Sequence, residues 1–366
     1  MVTVYGTIGK ACCNQETLES MLQNGMNGIR INLSHTSLAL DYCRDSIAAY
    51  RAACEHLGVK PEIMIDLKGP EIRSGNVHNP YILESGDEII IRQRQRHEEK
   101  PILPVPTALI HALESGDRII VHDGEFSIRV IEELEAIPEE LHPGGDENAE
   151  LITFIHRRFL GRAEGRGRIR GRETLTLEGK EVYGNVISSA DQTNLTLAAE
   201  LGVTSVMQPF VRSGEDILAV REALAGYGLT CPIFAKIESQ SALDHLDSII
   251  EQADVVVIAR GDLANAVSLP KLPAVQKRIA AKCIQANRPF MVVTQMLHSM
   301  LLNSVPTRPE VTDIFNAVLD GADYLMVTGE TSVGRYPAEV IRYLREVASE
   351  AEAYLAENAA GTACKV

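Results

Sequence analysis

Two periods of apolar and polar residues alternate along most of the chain. Short apolar runs that stop at a polar residue, such as Gly28-Ile-Arg-Ile-Asn32, are separated by longer stretches with helical spacing. Such runs are typical of strands buried on both faces of a parallel sheet. The chain holds eight of them, which end at or near Thr7, Asn32, Asp66, Pro209, Glu238, Arg260, Gln295 and Gly329. Eight strand and helix repeats predict an α/β protein with a closed (β/α)8 TIM barrel.

The alternation stops once, between about Gly75 and Tyr183, where short strand-like runs with Gly and Pro replace the helical spacing. This change predicts an inserted all-β lid domain after the third barrel strand. The expected domains are a barrel from residues 1–75 and 184–366 and a lid from residues 76–183. The last barrel helix is expected to end near Glu357 and to be followed by a tail.

Within the predicted lid, a short sequence occurs twice. Leu83-Glu-Ser-Gly-Asp87 recurs as Leu113-Glu-Ser-Gly-Asp117, which predicts two similar turns that each lead into a strand. Residues 138–150, rich in acid, Pro and Gly, are expected to form a mobile loop. The segment after it carries seven arginines, at positions 157, 158, 162, 166, 168, 170 and 172. Arginine forks suit phosphates, so this segment could be a lid surface that meets a nucleotide, but a solvated β ribbon would have the same pattern.

The 366-residue chain is acidic, with a formal net charge of −15. This charge argues against nonspecific nucleic-acid binding, which depends on clustered Lys and Arg. No apolar run approaches the roughly 20 residues that a membrane span needs, and the strand-like start differs from a signal peptide. The seven cysteines are scattered without metal-ligand spacing. We therefore expect a cytoplasmic protein with reduced thiols and with neither nucleic-acid nor membrane partners.

Charged residues end two neighbouring predicted strands. Lys236 and Glu238 end one of them, and Arg260 and Asp262 follow the next. Because parallel strands end at the same edge, two carboxylates suitable for a hard divalent cation would meet two cations suitable for an anion. A single Asp or Thr at such a position usually caps the following helix, but capping alone does not explain so many. Further polar residues at this edge are Arg30, Asn32, Ser34, His35, Asp66, Lys68, Glu71, Arg73, Thr294, Gln295, Thr328, Glu330 and Thr331.

Several longer motifs make the chain similar to the pyruvate kinase family. They occur in the order and with the spacing of that family, and they cover almost all of the predicted barrel. The motifs include Gly25-Met-Asn-Gly-Ile-Arg-Ile-Asn-Leu-Ser-His35, Asp66-Leu-Lys-Gly-Pro-Glu-Ile-Arg-Ser-Gly75, Lys236-Ile-Glu238, Ala259-Arg-Gly-Asp-Leu263, Thr294-Gln-Met-Leu297 and Gly329-Glu-Thr331. The Asp-x-Lys-Gly-Pro-Glu-Ile-Arg string is the most specific of them.

The resemblance implies phosphoryl transfer from phosphoenolpyruvate to ADP, which gives pyruvate and ATP. By match, Arg30 and Lys236 would hold the phosphoryl group, and Lys236 would neutralise charge on the enolate oxygen. Glu238 and Asp262 would bind Mg2+ or Mn2+. The backbone at Gly261 and Asp262 would cradle the substrate carboxylate, and Thr294 would lie on the carboxylate side, in the proton path to the enolate carbon.

The resemblance also implies a monovalent cation site and a nucleotide site. Asn32, Ser34, Asp66 and the carbonyl of Leu67 match the K+ ligands, and Glu71 is the residue type that the family pairs with K+ dependence. The matches to nucleotide-binding residues are Asn32, His35 and Arg73.

Some positions depart from the family pattern. Ala264 replaces a Gly, His298 replaces an acid and Val333 replaces a Lys, so substrate preference could differ. A Mg2+-dependent barrel lyase or decarboxylase acting on a 2-oxo acid, or a noncatalytic phosphoenolpyruvate-binding sensor, are the alternative functions. The family's C-terminal regulatory domain is not expected after residue 366, so a homo-oligomer would form through barrel surfaces.

Overall fold

The computed structural model describes residues 1–33, 39–93, 99–121, 126–141 and 152–363. The chain divides into two compact units, a barrel unit of Met1–Gly69 with Val186–Val366 and an inserted unit of Pro70–Asn185. Residues 70–75 and 184–185, which we expected in the barrel, therefore belong to the inserted unit. Hydrogen bonds within that unit explain the difference, because Gly75 N–H donates to the Pro104 carbonyl and Gly184 N–H donates to the Pro70 carbonyl.

The strands are numbered along the whole chain. Those of the barrel unit are β1 (Thr3–Thr7), β2 (Gly28–Asn32), β3 (Ile63–Asp66), β12 (Ser205–Gln208), β13 (Ile233–Ile237), β14 (Val255–Ala259), β15 (Phe290–Val293) and β16 (Tyr324–Val327). Those of the inserted unit are β4 (Asn76–Leu83), β5 (Glu88–Arg92), β6 (Ile102–Pro104), β7 (Arg118–Val121), β8 (Phe126–Leu141), β9 (Ile152–Ala163), β10 (Gly167–Gly171) and β11 (Leu175–Leu177).

The helices are numbered in the same way. They are α1 (Gln15–Gln23), α2 (Arg44–Leu57), α3 (Thr107–Ala112), α4 (Ser189–Ala198), α5 (Gly214–Gly226), α6 (Gln240–Asp244), α7 (Leu246–Gln252), α8 (Arg260–Ala266), α9 (Leu272–Gln285), α10 (Arg308–Leu319), α11 (Gly329–Ser332) and α12 (Pro337–Ala363). The expected end of the last helix near Glu357 is wrong, because α12 continues to Ala363. The added turn contains several alanines, which have the highest helix propensity. Within the described ranges, no helix is long and apolar enough to cross a membrane.

The eight strands of the barrel unit form a closed parallel barrel in the order β1-β16-β15-β14-β13-β12-β3-β2. Alternate side chains of each strand point inward. The middle of the interior is filled by four methionines, Met64, Met207, Met291 and Met326. Tyr5, Phe234 and Tyr324 pack edge to face or tilted beside them, with ring centroids 5.3 to 6.4 Å apart. The opposite faces of the strands pack against the helices in a larger apolar core.

Four barrel strands, β2, β12, β14 and β16, are each preceded by a polar residue. The side chain of this residue accepts a hydrogen bond from a backbone N–H near the start of the neighbouring strand that comes earlier in the barrel unit. Asn27 accepts from Val4 N–H at 2.8 Å, and Thr204 accepts from Ile63 N–H at 2.8 Å. Asp254 and Asp323 accept from Ile233 N–H at 2.8 Å and Phe290 N–H at 3.0 Å in the same way. The barrel is thus tied together as four pairs of neighbouring strands: β1 with β2, β3 with β12, β13 with β14, and β15 with β16.

The inserted unit consists of a two-stranded sheet, β10-β4, and a six-stranded sheet in the order β11-β7-β8-β9-β5-β6. It is not all-β, because it contains the short helix α3. Residues 138–141, part of the expected loop, continue strand β8 and pair with β9, whereas residues 142–150 lie outside the described ranges. The extra pairing explains the difference, because each ladder hydrogen bond stabilises an extended backbone.

The repeated Leu-Glu-Ser-Gly-Asp sequence forms two nearly identical turns. Glu84 N–H donates to Asp87 Oδ2 at 2.8 Å, and Glu114 N–H donates to Asp117 Oδ2 at 2.8 Å. The glycines, Gly86 and Gly116, have φ angles of 95° and 93°. Only glycine adopts such angles without strain, which explains why both copies keep it.

Four arginines of the basic segment pair with carboxylates inside the inserted unit. Their partners are Glu133 for Arg157, Glu88 for Arg162, Glu84 for Arg166 and Glu173 for Arg170, at 2.6 to 3.4 Å. Side chains at positions 162, 164, 166, 168 and 170 alternate with buried ones and are exposed. For the paired residues this geometry favours the interpretation as a solvated β ribbon.

Candidate active site

The strand period explains how charged side chains enter the barrel. In β13, Ile233, Ala235 and Ile237 belong to the outer core, so Phe234 and Lys236 point inward. The same alternation turns Arg30 of β2 and Asp66 of β3 toward the interior, where Arg30 is opposite Met64 and Asn32 is opposite Asp66. These polar groups line the barrel interior near the carboxyl ends of the strands.

Arg30 and Asp66 form a buried ion pair. Arg30 Nε donates to Asp66 Oδ2 at 2.9 Å, and Nη2 donates to the same oxygen. Their side chains are 8% and 1% exposed. Arg30 Nη1 donates to Thr7 Oγ1 at 3.2 Å, and Thr7 Oγ1 in turn donates to the Val327 carbonyl at 2.9 Å. The guanidinium is therefore held by a carboxylate on one side and a fixed hydroxyl on the other.

Lys236 lies between two buried carboxylates. Its Nζ is 2.8 Å from Glu238 Oε1 and 3.7 Å from Asp66 Oδ2. The negative charges of Asp66 and Glu238 raise the pKa of Lys236, and this effect outweighs the burial that opposes it. These neighbours therefore favour the ammonium form of Lys236.

Glu238 is the acid at the end of β13. Burial raises its pKa to about 8, the charge of Asp262 adds to the shift, and Lys236 acts against it. Glu238 Oε2 accepts from Phe210 N–H at 2.8 Å. Phe210 has a φ of 49°, so this contact is made by backbone in a conformation that non-glycine residues rarely adopt.

Asp262 is half-buried in the first turn of α8, close enough to act electrostatically on both Lys236 and Glu238. Within the described ranges, no group of three or more His, Cys, Asp or Glu side chains could hold a metal ion. Two carboxylates, Glu238 and Asp262, are the available ligands, so a cation here would complete its shell with oxygens of a substrate or of water.

The buried carboxylate of Asp66 has an oxygen to spare. Its Oδ1 atom has no hydrogen-bond partner among the described residues. Such an atom is costly to bury unless a cation or another donor satisfies it. The residues therefore suit a cation beside Asp66, on the side away from Arg30.

Thr294 adopts a strained backbone conformation just after β15. Its φ is 76° and that of Gln295 is 54°. Arg260 stabilises this turn, because Nη2 donates to the Thr294 carbonyl at 2.7 Å while Nη1 donates to Asp313 at 2.7 Å. The Thr294 hydroxyl accepts from Gly261 N–H at 2.8 Å. Strain of this kind costs of order 1–3 kcal/mol and is frequent at functional sites.

The other residues expected in the site have different positions. Ser34 and His35 lie outside the described residues. Leu67 is buried, and its N–H donates to the Met207 carbonyl at 3.0 Å. Arg73 and Glu71 belong to the inserted unit, where they form an ion pair of 2.7 Å.

Two polar residues near the eighth strand have structural roles. Glu330, 1% exposed, accepts from Thr328 N–H at 2.8 Å. Thr331 accepts from Thr7 N–H and donates to the Thr7 carbonyl. These contacts fix the turn after β16 and join it to β1, so both residues are explained without a role in catalysis.

Thr7, Phe210 and Asp313 support the site but were not among the predicted residues. Thr7 had a signal, because it ends the first predicted strand. The contact from Phe210 is made by its backbone N–H, and the sequence pattern does not predict where this N–H points. Asp313 lies in the middle of α10 and is separated from Arg260 by 53 residues, so only the folded chain shows the pair.

Of the three departures from the family pattern, Ala264 is half-buried in α8, whereas His298 and Val333 are exposed. Neither exposed side chain has a described contact with Arg30, Asp66, Lys236 or Glu238. The buried charge cluster is therefore complete despite these substitutions.

The fold and this cluster define an α/β barrel with a buried site for anions and cations. The chain matches the family profile "Pyruvate kinase, barrel domain" over residues 1–341. It is 34% identical over 357 residues to the pyruvate kinase of Kluyveromyces lactis, covering 96% of this chain and 67% of that protein. It is also 34% identical over 358 residues to the pyruvate kinase of Schizosaccharomyces pombe, covering 96% of this chain and 66% of that protein. It is 34% identical over 363 residues to pyruvate kinase 1 of Saccharomyces cerevisiae, covering 96% of this chain and 68% of that protein.

This chain belongs to the pyruvate kinase family. It spans about two thirds of the length of the relatives named above. The predicted family, the α/β fold class with its eight-stranded barrel and the enzyme class, a phosphotransferase, are confirmed.

Proposed function

We propose that this enzyme transfers the phosphoryl group of phosphoenolpyruvate to ADP, giving pyruvate and ATP. The observation that carries the proposal is the ammonium of Lys236, buried beside Glu238 and Asp66 on the inner wall of the barrel. A fixed cation in a dry site is what a reaction that develops negative charge on an enolate oxygen requires. The names of the family and its relatives support the same reaction.

Arg30 and Lys236 are the proposed phosphoryl-binding residues. The guanidinium of Arg30 is oriented by Asp66 and Thr7. Its remaining N–H groups can therefore bind a phosphate without a change in the position of the side chain. As the bond between the bridging oxygen and phosphorus breaks, charge grows on that oxygen. Lys236 would stabilise the charge there, which is the main electrostatic contribution that we assign to this chain.

We assign divalent cation binding to Glu238 and Asp262. Mg2+ or Mn2+, when bound, would act as a Lewis acid on the enolate and phosphate oxygens. Glu238 has one oxygen on Phe210 N–H and the other beside Lys236, so its orientation is fixed before a cation binds. The backbone at Gly261 and Asp262, in the first turn of α8, would receive the substrate carboxylate. The Asp262 N–H would be the donor, because the Gly261 N–H donates to the Thr294 hydroxyl.

Thr294 is proposed to lie in the path of the proton that reaches the enolate carbon. Its hydroxyl oxygen already accepts from Gly261 N–H, which leaves its own hydrogen to be donated. Arg260 keeps the carbonyl of this residue in place. The pyruvate enolate would thus be protonated next to the group that holds its carboxylate.

We propose that K+ activates the enzyme through Asn32, Ser34, Asp66 and the carbonyl of Leu67. The support from the structure is the unpartnered Oδ1 atom of Asp66 among the described residues. A monovalent ion there would coordinate Oδ1, because Arg30 and Lys236 contact this carboxylate through Oδ2. Glu71, by its residue type, is consistent with this dependence.

The inserted unit is proposed to act as the lid over the nucleotide, with Asn32, His35 and Arg73 as nucleotide-binding residues. A cytoplasmic location, a homo-oligomer formed through barrel surfaces and the absence of nucleic-acid and membrane partners stay predictions. The acidic charge of −15 supports the expectation for nucleic acid.

The test is an assay of pyruvate formation with phosphoenolpyruvate, ADP, Mg2+ and K+, on the wild type and on Lys236→Ala. Lys277→Ala is the matched control, because Lys277 is an exposed lysine with one salt bridge, to Asp320. We expect turnover in the wild type and the control and its loss in Lys236→Ala. Equal rates in all three proteins would refute the role of Lys236.

The same assay separates the alternatives, neither of which the comparisons favour. A lyase or decarboxylase would release pyruvate without ADP. A sensor would bind phosphoenolpyruvate and Mn2+ without forming pyruvate. Replacing K+ with Na+ at equal ionic strength tests the monovalent site separately from turnover itself.

A further inference from the structure

Another buried carboxylate, that of Asp191, lies where the chain leaves and re-enters the barrel unit. Its side chain is fully buried and accepts four hydrogen bonds. Two come from the segment that follows β3, from Lys68 N–H at 2.7 Å and Gly69 N–H at 3.0 Å. Two come from Ser188, through N–H at 3.1 Å and Oγ at 2.6 Å.

Helix capping explains only half of this arrangement. Ser188 and Asp191 form a capping box at the start of α4, for which the contacts between these two residues are sufficient. The bonds from Lys68 and Gly69 bridge a sequence separation of more than 120 residues and add nothing to the cap. They instead fix the segment after β3 to the beginning of α4.

Among the described residues, burial and hydrogen bonds, and no cationic side chain, determine the environment of the Asp191 carboxylate. Burial raises its pKa, and the hydrogen bonds from Ser188, Lys68 and Gly69 lower it again. In the part of the chain that the structure describes, the four donated hydrogen bonds and the positive end of the α4 dipole therefore stabilise the buried carboxylate. Because the buried carboxylate needs these hydrogen bonds, it holds the donating groups of Lys68, Gly69 and Ser188 in fixed positions.

The backbone that Asp191 fixes continues directly from two proposed cation ligands. Asp66 and Leu67 precede Lys68, and Leu67 N–H is bonded to the Met207 carbonyl. On the other side, Gly69 has a φ of 61°, and a Cβ there would lie 2.6 Å from Cγ of Pro209. The segment is thus held at both ends, at Leu67 by β12 and at Lys68–Gly69 by Asp191.

We propose that Asp191 is a positioning residue for the monovalent cation site: it holds Lys68 and Gly69 so that the Leu67 carbonyl and the Asp66 carboxylate face the ion. The inference rests on the proposed function, because the ion is the K+ assigned there. Asp191 itself does not touch the ion. Its contribution is the fixed orientation of a backbone carbonyl, which a flexible segment would supply only part of the time.

The experiment compares Asp191→Asn with Ser188→Ala. In Asp191→Asn, the amide can keep its oxygen at the position of Oδ2, which accepts from Gly69 and Ser188. The NH2 group then replaces Oδ1, so Lys68 N–H loses its acceptor. Ser188→Ala is the matched control, because it removes one bond to Asp191 and weakens the cap but leaves Lys68 and Gly69 bonded. A role in stability alone predicts the same effects in both variants.

Two measurements are made on each protein. The first is hydrogen–deuterium exchange of the Lys68 and Gly69 amides. We expect exchange of the Lys68 amide to be about tenfold faster in Asp191→Asn, whereas both amides stay within about twofold of wild type in Ser188→Ala. The second measurement is the melting temperature as a function of K+ concentration, with Na+ at equal ionic strength as the reference. The quantity compared is the K+ concentration that gives half of the K+-specific rise in melting temperature. We expect it to rise about tenfold in Asp191→Asn and less than twofold in Ser188→Ala, as one lost hydrogen bond to a charged group predicts.

Equal exchange and equal K+ dependence in the two variants would overturn the inference. If Asp191→Asn does not fold, the wild type still decides, because Lys68 and Gly69 amides that exchange as fast as exposed loop amides would also overturn it. A wild type that forms pyruvate but shows no K+ effect on melting or turnover would instead refute the K+ part of the proposed function. The exchange data distinguish these two failures.

Discussion

The buried pair of Arg30 and Asp66 allows a prediction of stability that does not depend on the reaction. Asp66→Asn keeps the shape of the side chain and removes its charge. Arg30 would then donate to a neutral amide oxygen, and Lys236 would keep only one of its two buried carboxylate neighbours, Glu238. The change tests whether the site's charges stabilise one another.

The expected cost follows from burial. Removing one partner of a buried ion pair typically costs 3–5 kcal/mol, and we expect the lower value, about 3 kcal/mol, because the amide oxygen of Asn still accepts one bond. Exposed ion pairs contribute about 0–1 kcal/mol. Asp41→Asn provides the control, because Asp41 also pairs with an arginine, Arg44, at 2.6 Å, but its side chain is 59% exposed.

The assay is urea unfolding followed by far-UV circular dichroism, since the chain has no Trp. With a slope of roughly 3 kcal/mol per molar urea for a unit of this size, 3 kcal/mol lowers the midpoint by about 1 M. Asp41→Asn should shift it by less than about 0.3 M. Equal midpoints for the two variants would show that the buried charges do not stabilise the folded barrel.

Three further changes test the site and the barrel. Lys236→Met should lower kcat/KM for pyruvate formation about 10²–10³-fold, the usual cost of losing one group that stabilises an oxyanion, and a loss below tenfold would contradict its role. A metal binds the ionised form of Glu238, and burial raises the pKa of this carboxyl to about 8. The Mn2+ affinity measured by calorimetry should therefore rise about tenfold per pH unit below pH 8 and level off above it. A flat profile from pH 6 to 8, or the same profile in Glu238→Gln, would contradict this. Thr204→Val leaves Ile63 N–H without its acceptor and should cost about 1–2 kcal/mol in urea unfolding, whereas a cost near zero would show that this hydrogen bond is dispensable.

The part of the site that could be predicted from the sequence is the part that the strand period determines. Arg30, Asp66 and Lys236 occupy inward positions near the carboxyl ends of parallel strands, and these ends meet at one edge of any barrel. The family resemblance then supplied roles for them. Their meeting required no knowledge of loops or of individual hydrogen bonds.

The rest depends on backbone geometry and on distant contacts. The positive φ angle of Thr294 is held by Arg260, and the orientation of Glu238 is set by an N–H of Phe210 in another strand-to-helix loop. Neither contact has a periodic signal. The limits of the inserted unit shifted for a similar reason, because Gly75 and Gly184 are assigned by hydrogen bonds that no local propensity predicts.

The pairing of strands at the amino end of the barrel bears on how the chain assembles during synthesis. The bond between Ile63 and Thr204 joins residues separated by 141 positions, because the inserted unit interrupts the pair β3 and β12. The first pair, β1 and β2, is complete within the first 32 residues. The edge of β3 that pairs with β12 therefore stays unpaired during synthesis until more than a hundred further residues have been translated. At about 5–20 residues per second, this delay lasts of order 10 s.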